Sequence, residues 1–329
     1  MKIAIVGVME NIGREILAFL EEDGTDPKDV FAVENNMPLG NQVSYGEDAE
    51  LDVHNLDSFD FSKAQLAVFS TTAEIAKRYI PKALKAGIRV IDCTGSSLSN
   101  PDSPMVVSGF NDDKLSKASL ISIPSYNTYQ LLLPLKEIDS KYHIKRIILS
   151  TYTSTSVYGK LAMDELFNQT RKIFMNTQLE DDKKVFNKQI AFNVIPQVGE
   201  FMSDETSDEW KINVEVKKIF NHDVKVHANC AVVASFVGNA QYINVECEKD
   251  IDIEDATQII KNTKGVVVFN KNLEGGYVTL TDVQGENNVY VSRLRQDISC
   301  ENGISFWSVA DNLRVGIAKN AYQIINKIK

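Results

Sequence analysis

The stretch KIAIVGVMENIGREILAFLEEDGTDPKDVFAVE, residues 2–34, decides the fold. Its opening apolar run ends at Gly7, a pattern typical of a buried parallel strand. Ile16, Leu17 and Leu20 then recur at helical spacing before a glycine stop, which predicts a helix of about three turns. The segment DVFAVE supplies a second strand. Strand, turn, helix and strand together predict a βαβ unit of the doubly wound, nucleotide-binding type.

The same alternation of strand and helix continues to about residue 120, in AQLAVFST, AEIAKRYIPKALKAG and IRVIDCTG. After residue 126 the texture changes, because β-rich stretches such as KVHANCAVVASFV and AQYINVECEK alternate with single helices such as GKLAMDELFNQTRKIF. This second pattern is typical of an α+β domain.

The chain ends in a long amphipathic helix that must cover an apolar surface. Its apolar positions share one side of the helix, and they are Val315, Ala318, Ala321, Ile324 and Ile325. Return to the first sheet is the simplest solution. We therefore predict an α/β fold, with a Rossmann-like doubly wound domain at residues 1–125 plus 308–329 and an inserted α+β dimerisation domain at residues 126–307.

Net charge and hydropathy exclude several classes of partner. The 329 residues carry a formal charge of −10, which argues against nucleic acid and acidic membranes, since both attract positive patches. Apolar runs fall short of the roughly 18 residues that a membrane span needs. The first residues, MKIAIVGVMENIG, lack the features of a secretory signal. These features predict a cytoplasmic protein that binds neither nucleic acid nor membrane.

The cysteines and histidines show no metal-binding pattern. The four cysteines form no C-x-x-C pair, which is consistent with free thiols in a reducing compartment. The four histidines show no ligand spacing with those cysteines. His222 and His227 lie five positions apart in NHDVKVH, which favours a solvated surface pair. From the sequence we predict no metal site.

The first βα turn, GVMENIG, departs from a dinucleotide-binding turn. Gly7 and Gly13 occupy the tight-turn and helix-packing positions, but Glu10 stands where the backbone approaches the pyrophosphate. Two like charges about 5 Å apart at an effective dielectric of about 20 repel by roughly 3 kcal/mol, or about two decades of affinity. Glu34, at the end of the second strand, suits a ribose 2′-hydroxyl and favours NAD over NADP. We expect no required cofactor, and at most weak NAD or NADP binding.

Six stretches spread over nearly the whole chain are distinctive: IAIVG, VIDCTGSSLSNPDSPMVVSGFN, STYTSTSVYGKLAMDEL, IAFNVIPQ, DEWKINVEVKKI and WSVADNLRVGIAKNA. Through these stretches the chain resembles the aspartate-β-semialdehyde dehydrogenase family. The resemblance implies a Rossmann domain, an inserted domain that forms a homodimer, and a returning C-terminal helix. It also implies an NADPH-dependent conversion of aspartyl-β-phosphate to the semialdehyde, with a cysteine nucleophile, an orienting glutamine, a histidine acid/base and substrate-binding arginines.

The residues at these implied positions differ from the family pattern. In IPSYNT the cysteine position is Tyr126, whose phenol has a pKa of about 10 against about 8.5 for a thiol. The glutamine position is Thr153. The histidine position is Asn239, which cannot titrate. The two arginine positions are Val232 and Leu98. Substitution in five separate roles predicts that the family reaction is lost.

Three positions of the family pattern are retained. Asp208 and Lys211 in DEWK match the acid–lysine pair that holds substrate, and Asn312 in ADNLR matches a position at the nicotinamide end of the cofactor. An ordinary i, i+3 helix pair, worth a few tenths of a kcal/mol, explains Asp208 and Lys211 equally well.

The chain lacks the family's cysteine but keeps the pattern of the fold, and in this respect it is similar to the Usg-type paralogue of the dehydrogenase. We therefore expect a catalytically inactive, homodimeric chain with a binding or regulatory role, including a mixed dimer with an active dehydrogenase. A metabolite or nucleotide sensor is a second hypothesis. The alternative is an NADP-dependent aspartate-semialdehyde dehydrogenase of amino-acid biosynthesis, or a related oxidoreductase, with relocated catalytic residues. Cys93 in VIDCTGSS is then the candidate nucleophile, although a buried strand-end cysteine is also common.

Overall fold

A computed structural model describes residues 1–37, 40–179, 185–220 and 222–329. The chain forms two compact units, which we call unit 1 (Met1–Ser125 with Gly316–Lys329) and unit 2 (Tyr126–Val315). Unit 2 is therefore inserted into the sequence of unit 1. The predicted fold class, an α/β doubly wound unit interrupted by an α+β unit, is confirmed.

Unit 1 is built on a sheet with the strand order β3-β4-β2-β1-β5-β6-β7, in which β3 runs antiparallel to β4 and the other neighbours are parallel. Its strands are β1 (Ile3–Val6), β2 (Val30–Glu34), β3 (Gln42–Tyr45), β4 (Ala49–Asn55), β5 (Leu66–Phe69), β6 (Arg89–Asp92) and β7 (Leu120–Ser122). Its helices before residue 125 are α1 (Asn11–Glu22) and α2 (Ala73–Lys85).

Strand β1 lies at the centre of this sheet and is buried on both faces. Ile3 and Ile5 pack into the core that also contains the apolar face of α1. Ala4 and Val6 pack into the opposite core, on the side of α2. Because side chains alternate between the faces of a strand, a continuous apolar run is required here, and the sequence supplies one.

Unit 2 contains a second sheet, which has the strand order β14-β15-β16-β13-β8-β12-β9. Its helices are α3 (Tyr126–Leu132), α4 (Lys136–Tyr142), α5 (Lys160–Phe174), α6 (Ser207–Ile219) and α7 (Ile253–Asn262). Its strands are β8 (Ile144–Thr153), β9 (Val194–Ile195), β10 (Phe201–Met202), β11 (Glu205–Thr206), β12 (Lys225–Val233), β13 (Asn239–Cys247), β14 (Val266–Val268), β15 (Val289–Gln296) and β16 (Gly303–Ala310). Strands β10 and β11 form a separate two-stranded sheet.

The chain returns to unit 1 as its last helix, α8 (Ile317–Ile328). The apolar residues predicted to face the first sheet are all buried, and four of them belong to the core beside α1. Phe19 of α1 stacks on Tyr322 of α8, with ring centroids 5.3 Å apart. The re-entry lies at Gly316, not at residue 308, because β16 pairs with β13 and β15 in the sheet of unit 2.

Among the residues that the structure describes, no helix combines the length and the apolar character that a membrane span requires.

Candidate active site

The turn between β1 and α1 needs glycine for reasons internal to unit 1. Gly7 has φ +94°, and a Cβ there would lie 2.9 Å from the backbone of Ser70. A Cβ on Gly13 would lie 2.1 Å from the carbonyl oxygen of Gly7. The first turn of α1 thus packs directly against β1, which presents the helix N-terminus and its free N–H groups at the carboxyl end of the sheet.

Glu10 and Glu34 flank this turn. Glu10 is the N-cap residue of α1, is exposed, and has φ −77° and ψ 152°, an extended conformation that any residue adopts. Its Cβ is therefore accommodated, and only its charge opposes a phosphate. The Glu34 carboxylate accepts hydrogen bonds from the N–H groups of Met9, at 3.0 Å, and Asn35, at 2.9 Å. It is therefore fixed beside the turn, where an acidic residue can bind a ribose.

Cys93 follows β6 in a turn that Asp92 organises. Asp92 is fully buried and accepts hydrogen bonds from the N–H and hydroxyl groups of Thr94 and Ser97 and from the Ser96 hydroxyl. Burial, with a smaller contribution from Asp92, raises the pKa of the Cys93 thiol well above its usual value. The thiol therefore stays protonated within the core of unit 1, and the chemistry of Cys93 does not favour a nucleophile.

The second arginine position of the family, Leu98, belongs to the same region of unit 1. It is 8% exposed. A nearly buried leucine offers no charge to a phosphate, so this position contributes packing and not substrate binding.

Tyr126 is the first residue of α3 in unit 2. Its hydroxyl donates a long hydrogen bond of 3.5 Å to Asp208 Oδ2, and its phenol also contacts the Thr153 hydroxyl. Burial raises the pKa of this phenol well above its usual value, and the Asp208 charge raises the pKa further. The phenol is therefore neutral near pH 7, and it lacks the anion that a nucleophile requires.

The other two positions of the family's reactive group lie beside Tyr126. Strand register places Thr153 of β8 opposite Val232 of β12 on one side and opposite Asn239 of β13 on the other. Thr153, Val232 and Asn239 are each fully buried. The Thr153 hydroxyl donates a hydrogen bond of 3.2 Å to Asn239 Oδ1. Sequence reasoning named these positions separately, and the structure brings them together as one row across three strands.

A buried amide network continues from this row. Asn239 Nδ2 donates hydrogen bonds of 2.9 Å both to Asn127 Oδ1 and to Gln130 Oε1 on α3. Gln130 Nε2 donates to Ser308 Oγ at 3.1 Å, and Gln241 Nε2 donates to the Asn127 carbonyl at 2.9 Å. Each of these side chains is at most 3% exposed. The network, which sequence reasoning missed, holds α3 against the sheet through these hydrogen bonds, while Gln241 Oε1 is buried without a hydrogen-bond partner among the described residues.

Cys230 is a second thiol near Tyr126, close enough for its anion to raise the pKa of that phenol. It lies two positions before Val232 on β12, so strand alternation gives both side chains the same face. Burial, with the nearby Asp208 and Glu209 charges, raises the pKa of the Cys230 thiol to about 12. Thiolate is therefore scarce near pH 7. The sequence could have identified Cys230, because side chains two positions apart on a strand share a face and Val232 occupies the family's arginine position.

Asp208 and Lys211 lie three positions apart on α6. Burial raises the pKa of the Asp208 carboxyl, while the Lys211 charge and the Tyr126 hydroxyl lower it in part. The Lys211 charge thus acts on the Asp208 carboxyl, which lies 3.5 Å from the Tyr126 hydroxyl. That Asp208 and Lys211 hold a substrate stays a prediction.

Asn312 joins three segments of unit 2. Its Oδ1 accepts hydrogen bonds from the N–H of Gly238, at 2.7 Å, and from the hydroxyls of Ser154 and Ser156. Its Nδ2 donates a hydrogen bond of 2.9 Å to the Ser156 hydroxyl. These contacts give Asn312 a structural role within unit 2.

Taken together, the groups around Tyr126 can hold protons but cannot readily release them. Its hydroxyl, the Cys230 thiol and the Asp208 carboxyl all have raised pKa values, and burial is the leading cause for each. The arrangement suits neutral hydrogen bonding. It does not suit attack by an anion on a carbonyl carbon.

The comparisons with known proteins cover nearly the whole chain. Residues 2–118 match the family described as semialdehyde dehydrogenase, NAD binding domain, and residues 132–315 match semialdehyde dehydrogenase, dimerisation domain. The chain is 36% identical over 330 residues to aspartate-semialdehyde dehydrogenase of Rickettsia bellii, covering 99% of this chain and 97% of the relative.

Solved structures agree with these relatives. Aspartate semialdehyde dehydrogenase II from Vibrio cholerae superposes with a TM-score of 0.93 at 34% identity, covering 99% of this chain and 98% of that one. The same Vibrio cholerae enzyme complexed with ASA gives a TM-score of 0.92 at 34% identity, covering 99% of this chain and 97% of that one.

These matches correct one expectation and establish one conclusion. The expectation that no cofactor is required is wrong, because the match to the NAD binding domain points to use of NAD or NADP. That expectation overestimated the charge effect of Glu10, because its side chain is exposed and its backbone is unstrained. With both domains of the pattern present in order and relatives matching from end to end, the chain belongs to the aspartate-semialdehyde dehydrogenase family.

Proposed function

We propose that this chain is a non-catalytic member of the family, of the Usg type, that binds a nicotinamide dinucleotide and acts as a dimeric binding or regulatory protein. A single observation carries the proposal. The positions expected for nucleophile, orienting amide and base hold Tyr126, Thr153 and Asn239. The Thr153 hydroxyl contacts Tyr126 and donates to Asn239, and the fully buried Asn239 amide is committed to bonds with α3.

The residues of unit 1 fit a dinucleotide. The glycine turn exposes the N-terminus of α1 to a pyrophosphate, and Glu34 is fixed to accept a hydrogen bond from a ribose. Bound NAD or NADP would supply hydride chemistry. The residues around Tyr126 would bind or orient a ligand by neutral hydrogen bonds, because their pKa values favour the protonated forms.

The second candidate function is aspartate-semialdehyde dehydrogenase activity, and the names of the relatives favour it, since they match over nearly their whole length. In this alternative the catalytic residues are relocated. Cys230 is then a better nucleophile candidate than Cys93, because it lies near Tyr126 and Asp208 within unit 2. The carboxylates of Asp208 and Glu209 oppose the thiolate that this alternative requires.

The deciding experiment measures phosphate-dependent oxidation of aspartate semialdehyde by the purified dimer, with NAD and with NADP. We expect no turnover above the buffer rate. Saturable turnover that is abolished by Cys230→Ser, but not by Cys93→Ser, would replace the proposed function with the alternative. Turnover that survives both substitutions would show that another group performs the chemistry.

Cofactor affinity gives an independent prediction at Glu10. We expect Glu10→Gln to tighten NAD binding by up to about fivefold, since it removes an exposed, solvent-screened like charge near the pyrophosphate. Isothermal titration calorimetry with NAD and NADP measures the change. Glu10→Gly is the matched variant, and we expect a similar gain because the extended backbone at this position already accommodates a Cβ. A further large gain with glycine would instead identify steric exclusion.

The dimer is also part of the proposal, and the match to a dimerisation domain supports it. Unit 2 exposes large apolar side chains, among them Phe174 at 78%, Phe192 at 65% and Phe201 at 65%. Such side chains are typical of a surface that a second subunit covers. Sedimentation of the purified chain tests the homodimer, and co-expression with an active dehydrogenase tests a mixed dimer. A cytoplasmic location stays a prediction.

A further inference from the structure

A compact group of metal-ligating side chains lies in unit 2, outside the network around Tyr126. It consists of Asp139 on α4, His143 at the C-cap of that helix, and His222 in the segment between α6 and β12. One ligand atom from each residue lies within 4.8 Å of the others. His222 Nε2 is 2.9 Å from Asp139 Oδ1.

The spacing of these atoms is close to that of a tetrahedral zinc site. Zinc binds histidine nitrogen and carboxylate oxygen at about 2.0–2.2 Å, so neighbouring ligand atoms in a tetrahedron lie about 3.3 Å apart. The two imidazoles are stacked, so one ring must turn out of the stack for both nitrogens to point at a single ion. Partial exposure, 42% for His143 and 22% for His222, leaves room for that rotation.

The backbone already holds the group in place. Asp139 Oδ1 accepts a hydrogen bond of 2.9 Å from the N–H of Ile144, and the N–H of His143 donates to the Asp139 carbonyl at 2.9 Å. His143 has φ +61°, an uncommon conformation for a residue other than glycine. This conformation ends α4 and keeps the His143 ring over the ring of His222, with centroids 4.0 Å apart.

The three side chains offer two imidazole nitrogens and a carboxylate oxygen within reach of one position, and the Asp139 carboxylate supplies negative charge there. Glu248 completes the surroundings, because its Oε2 is 3.9 Å from His143 Nε2 and its N–H donates to the His143 carbonyl at 2.8 Å.

We propose that Asp139, His143 and His222 bind one divalent transition-metal ion, of which zinc fits the donor set best, with Glu248 or water as the fourth ligand. Two imidazoles and a carboxylate suit zinc better than calcium or magnesium, which prefer sites made of oxygen atoms. The ion would join the end of α4 to the segment that follows α6. Its role is to stabilise unit 2, and it takes no part in the chemistry of the dehydrogenase family.

The sequence predicted no metal site, because the prediction looked for spacing between cysteines and histidines. Asp139 and His222 lie 83 positions apart in the chain. Only the i, i+4 spacing of Asp139 and His143 was visible, and it is common in helices. Folding, not local sequence, assembles the group.

Titration calorimetry of the untagged, metal-free protein with ZnCl₂ tests the proposal. We expect one zinc ion per chain, and we expect His143→Gln and His222→Gln each to weaken binding by at least about tenfold. The matched controls are His54→Gln and His227→Gln, the other two histidines of the chain, which should bind as tightly as the native protein. No binding, or binding that none of these changes weakens, would overturn the proposal.

The absorption spectrum of the native protein with Co²⁺ keeps the test independent of variant folding. Nitrogen and oxygen ligands give the d–d bands of cobalt without a sulfur-to-metal charge-transfer band. A sulfur band would place the ion at a cysteine, such as the partly exposed Cys300, and would overturn the assignment. Zinc should also raise the melting temperature of the native chain and leave that of His222→Gln nearly unchanged.

Discussion

Replacing Asn239 by histidine, the residue expected at this position in the family, is expected to lower the free energy of unfolding of unit 2 by about 3–5 kcal/mol. The change removes the N–H groups that bond to Asn127 Oδ1 and Gln130 Oε1. Asn127 Oδ1 keeps a bond of 3.3 Å from Gln241 Nε2, so the main loss is at Gln130 Oε1, and a buried acceptor left unpaired costs roughly 1–3 kcal/mol. The larger ring adds roughly 1–3 kcal/mol of overpacking at a fully buried position. No dehydrogenase activity should appear.

Urea unfolding followed by tryptophan fluorescence measures this effect. Both tryptophans of the chain, Trp210 and Trp307, belong to unit 2, so the signal reports that unit specifically. Native and variant chains are compared at the same protein concentration, because the stability of the proposed dimer would depend on it. Asn244→His, on the same strand but partly exposed, is the matched control and should cost about 1 kcal/mol or less. A stable Asn239→His variant with measurable turnover would contradict both the network and the proposed function.

Asn239 also shows what sequence reasoning could and could not reach. A motif located the residue, but its partners depend on register between β13 and β8 and on the placement of α3, which are non-local. The same limit applies to Cys230, whose nearness to Tyr126 follows from the fold. Local sequence patterns were sufficient to predict an element wherever its buried residues follow a strand or helix pattern. The fully buried β1 and the apolar face of α8 are examples.

The first residues of the C-terminal segment show why boundaries are harder to predict than elements. The sequence placed the return to unit 1 at residue 308, but the apolar run there belongs to β16, between β13 and β15 in the second sheet. An apolar strand pattern shows that a segment is buried. It does not show which of two sheets buries it, since both cores accept the same residue types.

Replacing Gly13 by alanine is expected to destabilise unit 1 by about 3 kcal/mol, although the same change in an ordinary helix stabilises by about 1 kcal/mol. A steric clash explains why the stability effect of Gly13→Ala has the opposite sign here. A Cβ at this position would lie 2.1 Å from the Gly7 carbonyl oxygen and 2.9 Å from Ser70 Oγ, so α1 must move away from β1. That movement also displaces the N-terminus of α1, and NAD affinity should fall with stability.

Hydrogen exchange of peptides from β1 and α1 measures this change, because unit 1 contains no tryptophan. We expect faster exchange in these peptides and little change in unit 2. Arg14→Ala, at the exposed next position of α1, is the control and should stay within about 0.5 kcal/mol of the native chain. If Gly13→Ala instead slowed exchange, the ordinary helix preference would dominate. The glycine would then be retained for the ligand that approaches this turn, and not for the packing of α1 on β1.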